Sequence, residues 1–164
     1  MPSLKLRPVH PEDLEFLYRV YSSTRQEELA QVEWNPAQKE SFLRMQFNAQ
    51  RSYYQEHYRR AEFQIILLEE EPAGRLYVDR RPNEIRIVDI ALLPGYRNRG
   101  IGTTCLKEIL ADGERSDRPV TIHVERFNPA RRLYDRLGFH PIADRGVYVL
   151  MEWLPGKRGF REAG

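Results

Sequence analysis

The chain has 164 residues, about the size of one domain, so a single hydrophobic core can form without disulfides or metals. Its 26 Lys and Arg against 24 Asp and Glu leave a net charge of +2, too small to indicate a general nucleic-acid or membrane-surface binder. The content of 41% hydrophobic and 11% aromatic residues excludes a disordered chain, and the single cysteine, Cys105, excludes an internal disulfide and a Cys-rich zinc site.

Hydrophobic spacing in the first half of the chain predicts one strand, two helices and three further strands. The predicted strands occupy residues 4–9, 63–69, 74–79 and 84–93. The first predicted helix begins at Pro11, and the second covers residues 36–59 with one apolar side formed by Phe42, Met45, Ala49 and Tyr53. We expect a loop or broken helix over residues 22–35 and a turn over residues 70–72.

Turn signals divide the second half into helix, strand, helix and a final strand or hairpin. These are predicted over residues 100–115, 119–125, 128–138 and 141–153, with the last turning at 144–146. Asn128 is expected to cap the second of these helices with Pro129 at its first position, Leu133 to face inward, and Gly138 to end it. The order predicts one mixed α/β domain over residues 1–154, followed by a mobile tail over residues 155–164.

The location of the protein is indicated by what its sequence lacks. The N-terminal residues contain no apolar stretch of the kind found in secretory signals. The longest aliphatic run, residues 65–68, is far shorter than a membrane span. We therefore expect a reduced, soluble, cytoplasmic protein that binds no membrane and no metal.

The segment from Pro94 to Thr104 joins a predicted buried strand to the start of a helix. The first amides of a helix have no partners within it, and the helix dipole favours an anion there. Gly100 and Gly102 lack Cβ atoms, so a phosphate oxygen can approach the backbone closely. Nearby arginines at 97 and 99 would add charged donors. The segment therefore predicts a pyrophosphate-binding turn.

Two common phosphate-binding motifs fit this turn poorly. A P-loop requires Lys and then Ser or Thr after its last Gly, whereas Thr103 directly follows Gly102. The dinucleotide fingerprint requires a third Gly or Ala where Cys105 stands, and an acidic residue that ends a second strand. Asp117 lies at about the right distance but precedes its strand.

Two stretches resemble the GCN5-related N-acetyltransferase (GNAT) superfamily. Arg97-Asn98-Arg99-Gly100-Ile101-Gly102 is similar to its Q/R-x-x-G-x-G/A motif, and the segment NPARRLYDRLGF, residues 128–139, resembles its second conserved stretch. The resemblance implies a twisted, mostly antiparallel sheet flanked by helices, whose splayed central strands, 84–93 and 120–125, run locally parallel. It also implies direct transfer of an acetyl group from acetyl-CoA to a primary amine in a ternary complex.

The resemblance implies a role for each matching residue. The pyrophosphate would bind backbone amides of the turn, which are those of Arg97, Asn98, Arg99, Gly100, Ile101, Gly102 and Thr103. Asn98 stands where the family usually has Gly, and Asn tolerates left-handed backbone. Backbone groups of Leu92 and Leu93 would pair with the pantetheine arm and aim an amide at the acetyl oxygen. Tyr134, at the edge of its helix's apolar stripe, would protonate the CoA thiolate, and Asn128 would touch the CoA arm or act only as a cap.

The general base is where the sequence departs from the family, since Arg86 replaces a frequent Glu. Glu84 shares the face of Arg86, whereas Asp89 points to the opposite face of an apolar strand, where desolvation would make its carboxylate more basic. Either residue is a candidate base, and proton loss through water without a dedicated base is the alternative. Arg86 itself would bind a substrate carboxylate or pair with Glu84.

The acceptor is not specified by the sequence beyond a small-molecule amine or a peptide. The first helices and their loop supply candidate contacts, which are Tyr21, Thr24, Arg25, Glu28, Gln46, Gln50, Tyr53, Tyr54 and His57. His123 is expected to be structural, and Cys105 on an apolar helix stripe makes an acetyl-cysteine intermediate unfavourable.

Other functions and assemblies stay open at this point. A catalytically silent acyl-CoA sensor or accessory module is suggested by Arg86. A nucleic-acid module would use six arginines, at 97, 99, 126, 131, 132 and 136, but Glu125 and Asp135 interrupt that patch. A homodimer to which the last strand and the tail contribute is also possible.

Overall fold

The computed structural model describes residues 3–156. The helices are α1 (Leu14–Ser23), α2 (Gln26–Ala30), α3 (Pro36–His57), α4 (Ile101–Ser116) and α5 (Arg131–Arg136). The strands are β1 (Leu4–Pro8), β2 (Glu62–Leu68), β3 (Glu71–Arg80), β4 (Ile85–Leu92), β5 (Val120–Glu125), β6 (His140–Arg145) and β7 (Tyr148–Trp153). They form one mostly antiparallel sheet in the order β1-β2-β3-β4-β5-β7-β6, which confirms the predicted fold class.

Contacts divide the described chain into two compact units. The first contains the residues up to Tyr77 together with Ile90–Arg97, and the second contains Val78–Asp89 together with the residues from Asn98 onward. Within residues 3–156, no helix is both long and apolar enough to cross a membrane. Of the predicted tail, Pro155 is buried and the Gly156 amide donates to Glu114 at 2.9 Å, while 157–164 lie outside the described residues.

The core of the first unit lies where the first three helices meet β2. Its buried residues are Leu17, Tyr18, Tyr21, Leu29, Leu43, Phe47, Ile65 and Leu67. The apolar side predicted for α3 was wrong, since Met45 is 60% exposed and Tyr53 51% exposed. The buried side of α3 is marked by Leu43 and Phe47. Polar Gln46 and Gln50, both half-buried, flank these residues and hide the pattern.

Two local predictions in the first unit have different outcomes. Residues 22–35 form a broken helix, because α2 interrupts the segment as a separate short helix. The turn predicted at 70–72 was wrong: Glu69 (φ 52°) and Glu70 (φ 68°) form it, and Pro72 lies inside β3. A two-residue hairpin turn needs positive φ at both positions, and consecutive glutamates give no sign of that in sequence.

In the second unit, β4 and β5 pair in parallel from Ile85–Val120 to Ile87–Ile122, as predicted. Both strands continue past this short pairing. The final segment is the β6–β7 hairpin. Its turn lies at Gly146 and Val147, so the turn ends one residue later than the predicted turn at 144–146. Because β7 pairs with β5 on one side and β6 on the other, the last strand has no open edge for a dimer contact.

Helix α5 begins later than predicted. The Asn128 side chain accepts a hydrogen bond from the Ala130 amide at 2.8 Å, so it closes a turn before the helix, which starts at Arg131. The C-terminal prediction is confirmed: Gly138 has φ 100°, and the Phe139 amide donates to the Tyr134 carbonyl at 3.0 Å. Tyr134 is the buried residue of α5, whereas Leu133 is only half-buried, which reverses the predicted orientation.

Gly74 in β3 supplies a test of the sheet beside the end of β4. A Cβ at Gly74 would overlap the carbonyl oxygen of Ala91 and approach the Leu92 side chain to 2.8 Å, whereas a Cβ at Gly95 would meet nothing within 4 Å. We expect Gly74→Ala to lower the free energy of unfolding by about 1–3 kcal/mol. Gly95→Ala is the control and should change it by less than about 1 kcal/mol. Equal urea midpoints for the two variants would contradict this packing.

Candidate functional site

The turn after β4 contains two residues in the left-handed region. Asn98 has φ 60° and Gly100 has φ 80°, and both residues are exposed. Asn98 thus adopts the left-handed backbone that Asn tolerates. A Cβ at Gly100 would meet nothing within 4 Å, so the space beside this backbone is open.

Gly100 is also the N-cap of α4, and it provides no side-chain cap. The amides of Gly102 and Thr103 consequently lack the partner that a Ser or Asp cap would give. Thr104 begins the helical pattern, with its amide donating to the Gly100 carbonyl at 3.0 Å. Uncapped amides at the positive end of a 16-residue helix suit a phosphate group, so the residues present fit the pyrophosphate of CoA.

Arg97 uses its side chain within the first unit. Its Nε donates to the Leu92 carbonyl at 3.0 Å, and its Nη2 donates to Ser23 Oγ on α1 at 3.1 Å. This guanidinium was predicted to add a donor for the phosphate, whereas in the structure it ties the end of β4 to α1. No sequence signal connects Arg97 to a serine 74 positions earlier. Arg99, the other predicted donor, is exposed.

At the end of β4, the backbone groups of Leu92 and Leu93 point to opposite edges of the strand. The Leu93 amide donates to the Ala73 carbonyl of β3 at 2.9 Å, and the Leu93 carbonyl accepts from the Tyr96 amide at 2.9 Å. Successive residues of a strand alternate the direction of their N–H and C=O groups. The backbone groups of Leu92 therefore face away from β3, and its carbonyl already accepts from Arg97.

Glu84 belongs to a charged network. Its Oε1 accepts from Arg81 Nη1 at 3.0 Å, from Arg86 Nη2 at 3.1 Å and from Thr121 Oγ1 at 3.1 Å. Arg86 Nε in turn donates to Thr121 Oγ1 at 2.7 Å. Of the two roles considered for Arg86, pairing with Glu84 is the one that the structure contains. The network gives Glu84 a role as counter-ion to two arginines.

Tyr134 and Asp89 lie on another part of the second unit. Tyr134 is 5% exposed, and its ring meets that of Phe139 edge-on at 5.7 Å. Burial, and then the negative charge of Asp89, raises the pKa of Tyr134 to about 12, so its hydroxyl keeps its proton at neutral pH. Asp89 is half-buried and lies three positions after Arg86 along β4. Its charge acts on Tyr134, whereas Glu84 is hydrogen-bonded to Arg86. The two candidate bases therefore belong to different groups of residues.

Two further titratable residues, His123 and Cys105, have shifted pKa values. His123 Nδ1 is 3.5 Å from Arg86 Nη1, and burial followed by the Arg86 charge lowers the pKa of His123 below 6.5. Cys105 is buried, and burial raises the pKa of its thiol to about 11, with a smaller effect from Glu108. A thiol of that pKa is a poor nucleophile, in keeping with the sequence analysis.

Most of the predicted acceptor contacts are engaged inside the first unit. Tyr21 donates to Gln46 at 3.3 Å, and Arg25 pairs with Glu28 at 3.1 Å. Gln50 accepts from the buried Arg75 at 3.1 Å. The remaining candidates have local partners: Thr24 with the Tyr21 carbonyl at 2.7 Å, Tyr54 edge-on to Tyr77 at 5.8 Å, and Tyr53 stacked on His57 at 4.1 Å.

A model of the acetyltransferase (GNAT) family matches residues 18–139, which is most of the chain. The chain is a member of the GNAT acetyltransferase family. It is therefore an acyltransferase whose acyl donor is acetyl-CoA. Both sequence motifs that carried the resemblance end within the matched range, at Gly102 and Phe139.

Solved structures with low sequence identity share the fold. The PaiA N-acetyltransferase of Thermoplasma acidophilum, in complex with coenzyme A, is 20% identical with a TM-score of 0.70, over 93% of this chain and 99% of that one. An acetyltransferase of Thermus thermophilus is 23% identical with a TM-score of 0.65, over 92% and 95%. The ribosomal-protein-S18-alanine N-acetyltransferase of Escherichia coli is 15% identical with a TM-score of 0.62, over 94% and 97%. Comparison with curated proteins finds no match.

The network around Arg86 can be tested through His123. The pKa of His123 is lowered by burial and then by Arg86, so Arg86→Gln should raise it towards 6.5. Arg86→Lys keeps the charge and should leave it low. An NMR titration of the imidazole resonances measures both values in folded protein. The same His123 titration midpoint in Arg86→Gln as in the unsubstituted protein would contradict the assigned charge interaction.

Proposed function

We propose that the chain acetylates a primary amine, carried by a small molecule or a peptide, by direct attack on acetyl-CoA in a ternary complex. The observation that carries this proposal is the left-handed turn at Asn98 and Gly100 before an uncapped helix, in a member of an acetyltransferase family. Residues 1–154 would form the acetyltransferase domain, and the family match lies within that range.

The donor would be held mainly by backbone groups. The amides of Asn98 to Thr103 would bind the pyrophosphate, and the PaiA enzyme with a similar fold was solved with coenzyme A. The backbone of Leu92, which faces away from β3, would pair with the pantetheine arm and donate to the acetyl oxygen as charge develops on it. When bound, acetyl-CoA supplies a thioester carbonyl and a thiolate leaving group.

Tyr134 is the proposed general acid. Its pKa of about 12 keeps the hydroxyl protonated, and its burial excludes water from competing for that proton. A thiolate needs only a positioned donor, which a phenol can be despite its weak acidity. Asp89 lies close enough for its charge to favour the protonated hydroxyl.

The amine would lose its proton through water. Glu84 is a poor candidate for a base because three donors already occupy one of its oxygens. Asp89 is the other candidate base, and its carboxylate would act beside Tyr134. The Escherichia coli structure of similar fold is named as acting on an alanine of a ribosomal protein, which supports including peptide amines among the acceptors.

Two alternative functions lose their motivating observations. A silent acyl-CoA sensor was suggested by Arg86, whose presence is explained by the ion pair with Glu84. A nucleic-acid module needs available arginines, and Arg126 pairs with Asp144 at 2.6 Å. The sensor remains an outcome of the experiments below.

Donor binding is tested by a thermal shift. At about 100 times its dissociation constant, acetyl-CoA should add roughly 2.7 kcal/mol, a rise of roughly 5–11 °C for a domain of this size. The rise should survive Asn98→Gly, which retains φ 60°, and should fall by more than half in Asn98→Val, because a β-branched residue is strained there. No rise with acetyl-CoA or CoA in the unsubstituted protein would contradict the proposed donor site.

The acid role is tested by Tyr134→Phe. Thiol release from acetyl-CoA with a reactive amine should slow by about 100-fold, while acetyl-CoA affinity changes by less than about threefold. Tyr148→Phe, at an exposed position of β7, is the control and should retain full turnover. Unchanged turnover in Tyr134→Phe would remove this residue from the mechanism, and binding without turnover for any amine would favour the sensor.

A further inference from the structure

The side chain of Arg97 joins two elements of the first unit. Its Nε donates to the Leu92 carbonyl at 3.0 Å, and its Nη2 donates to Ser23 Oγ at 3.1 Å. The Ser23 hydroxyl in turn donates to the Val20 carbonyl at 2.7 Å, so it both accepts and donates. These three hydrogen bonds, here called the Arg97 bridge, lead from the last residue of β4 to the last turn of α1. Both ends of the bridge are backbone carbonyls of regular elements, so the guanidinium is held between two fixed points.

The Arg97 bridge fixes the peptide group at the end of β4. The carbonyl of this group belongs to Leu92 and accepts from Arg97, while its amide belongs to Leu93 and donates to the Ala73 carbonyl of β3 at 2.9 Å. A planar peptide group that is held at both its carbonyl and its amide cannot turn without breaking a hydrogen bond. The Leu92 N–H directly precedes this group, so the bridge fixes the direction in which the Leu92 backbone points.

We propose that Arg97 is a positioning residue for acetyl transfer, which acts through the backbone of Leu92 and not through the phosphates of the donor. This inference rests on the proposed function, in which the Leu92 backbone donates to the acetyl oxygen. The Arg97 bridge holds that backbone in one direction before the donor binds, and a preorganised hydrogen-bond donor needs no rearrangement as charge develops on the oxygen. The fixed fork of a guanidinium supplies two N–H donors in set directions, which the ammonium of a lysine does not.

Kinetics and donor binding, measured together, distinguish this role from a phosphate contact. Arg97→Gln should lower kcat for acetyl transfer to a reactive amine by about 10-fold and change the dissociation constant of CoA by less than about threefold, because the transition state is affected and the phosphates are not. Arg97→Lys keeps the charge without the fork and should lose as much kcat as Arg97→Gln. A kcat restored by Arg97→Lys, or a weaker CoA affinity at unchanged kcat, would overturn the proposal.

The far end of the Arg97 bridge can be removed without a change in the donor turn. Ser23→Ala should lower kcat by about threefold at unchanged CoA affinity. Ser22→Ala is the matched control and should retain full kcat, since this neighbouring hydroxyl of α1 accepts from the Gln26 side chain at 3.0 Å. Ser23→Ala combined with Arg97→Gln should be no slower than Arg97→Gln alone, because both changes break the same bridge. Equal kcat in the two serine variants, with a lower unfolding temperature for Ser23→Ala, would reduce the bridge to a purely structural role.

An NMR comparison of acetyl-CoA with CoA gives a second readout that does not require turnover. The two ligands differ only in the acetyl group, so the difference between the amide shifts that they cause reports the acetyl end of the donor. This difference should be largest at the Leu92 amide, and Arg97→Gln should abolish it while the shifts of Gly102 and Thr103 persist. Loss of the Gly102 and Thr103 shifts in Arg97→Gln, with the difference at Leu92 retained, would overturn the role of Arg97 alone. No amide shifts with either ligand in the unsubstituted protein would contradict the proposed donor site and the role of Arg97 with it.

Discussion

The proposed donor site depends on one backbone constraint, the left-handed conformation of Asn98 and Gly100 between β4 and α4. These two residues change the direction of the chain so that the end of β4 is followed within a few residues by the start of α4. Since the cap is a glycine, the first amides of α4 remain without a side-chain partner. A phosphate can then be bound by oriented dipoles rather than by mobile side chains, and Arg97 is left to hold the end of β4 against α1.

The two candidate carboxylates, Glu84 and Asp89, have different partners. Glu84 and Arg86 form an ion pair that also includes Thr121, so Arg86 has a structural role in this chain. Asp89 instead acts on Tyr134, and burial with that charge keeps the phenol protonated. The proposed mechanism therefore has a proton donor, Tyr134, without an equally clear acceptor. This arrangement suits an amine that loses its proton to solvent before it attacks.

The sequence predicted the features that have local signatures. The glycine pattern after β4, the parallel pairing of β4 with β5 and the end of α5 at Gly138 were all recoverable from spacing and turn chemistry. The buried side of α3 could not be predicted, because its two buried apolar residues, Leu43 and Phe47, are outnumbered by apolar residues on the exposed side of the same helix. Contacts between distant positions, such as Arg97 with Ser23 or Arg86 with Thr121, leave no pattern in a single sequence. The late start of α5 depended on an Asx turn that competes with the cap predicted for Asn128.

The most direct test of the donor site is a backbone amide NMR titration with coenzyme A, in which each N–H reports its own environment. If backbone groups bind the pyrophosphate and the pantetheine arm, the largest shifts will fall on the amides of Asn98 to Thr103 and on Leu92. Shifts confined to other parts of the chain, with these amides unchanged, would contradict the assignment of this turn as the acetyl-CoA site.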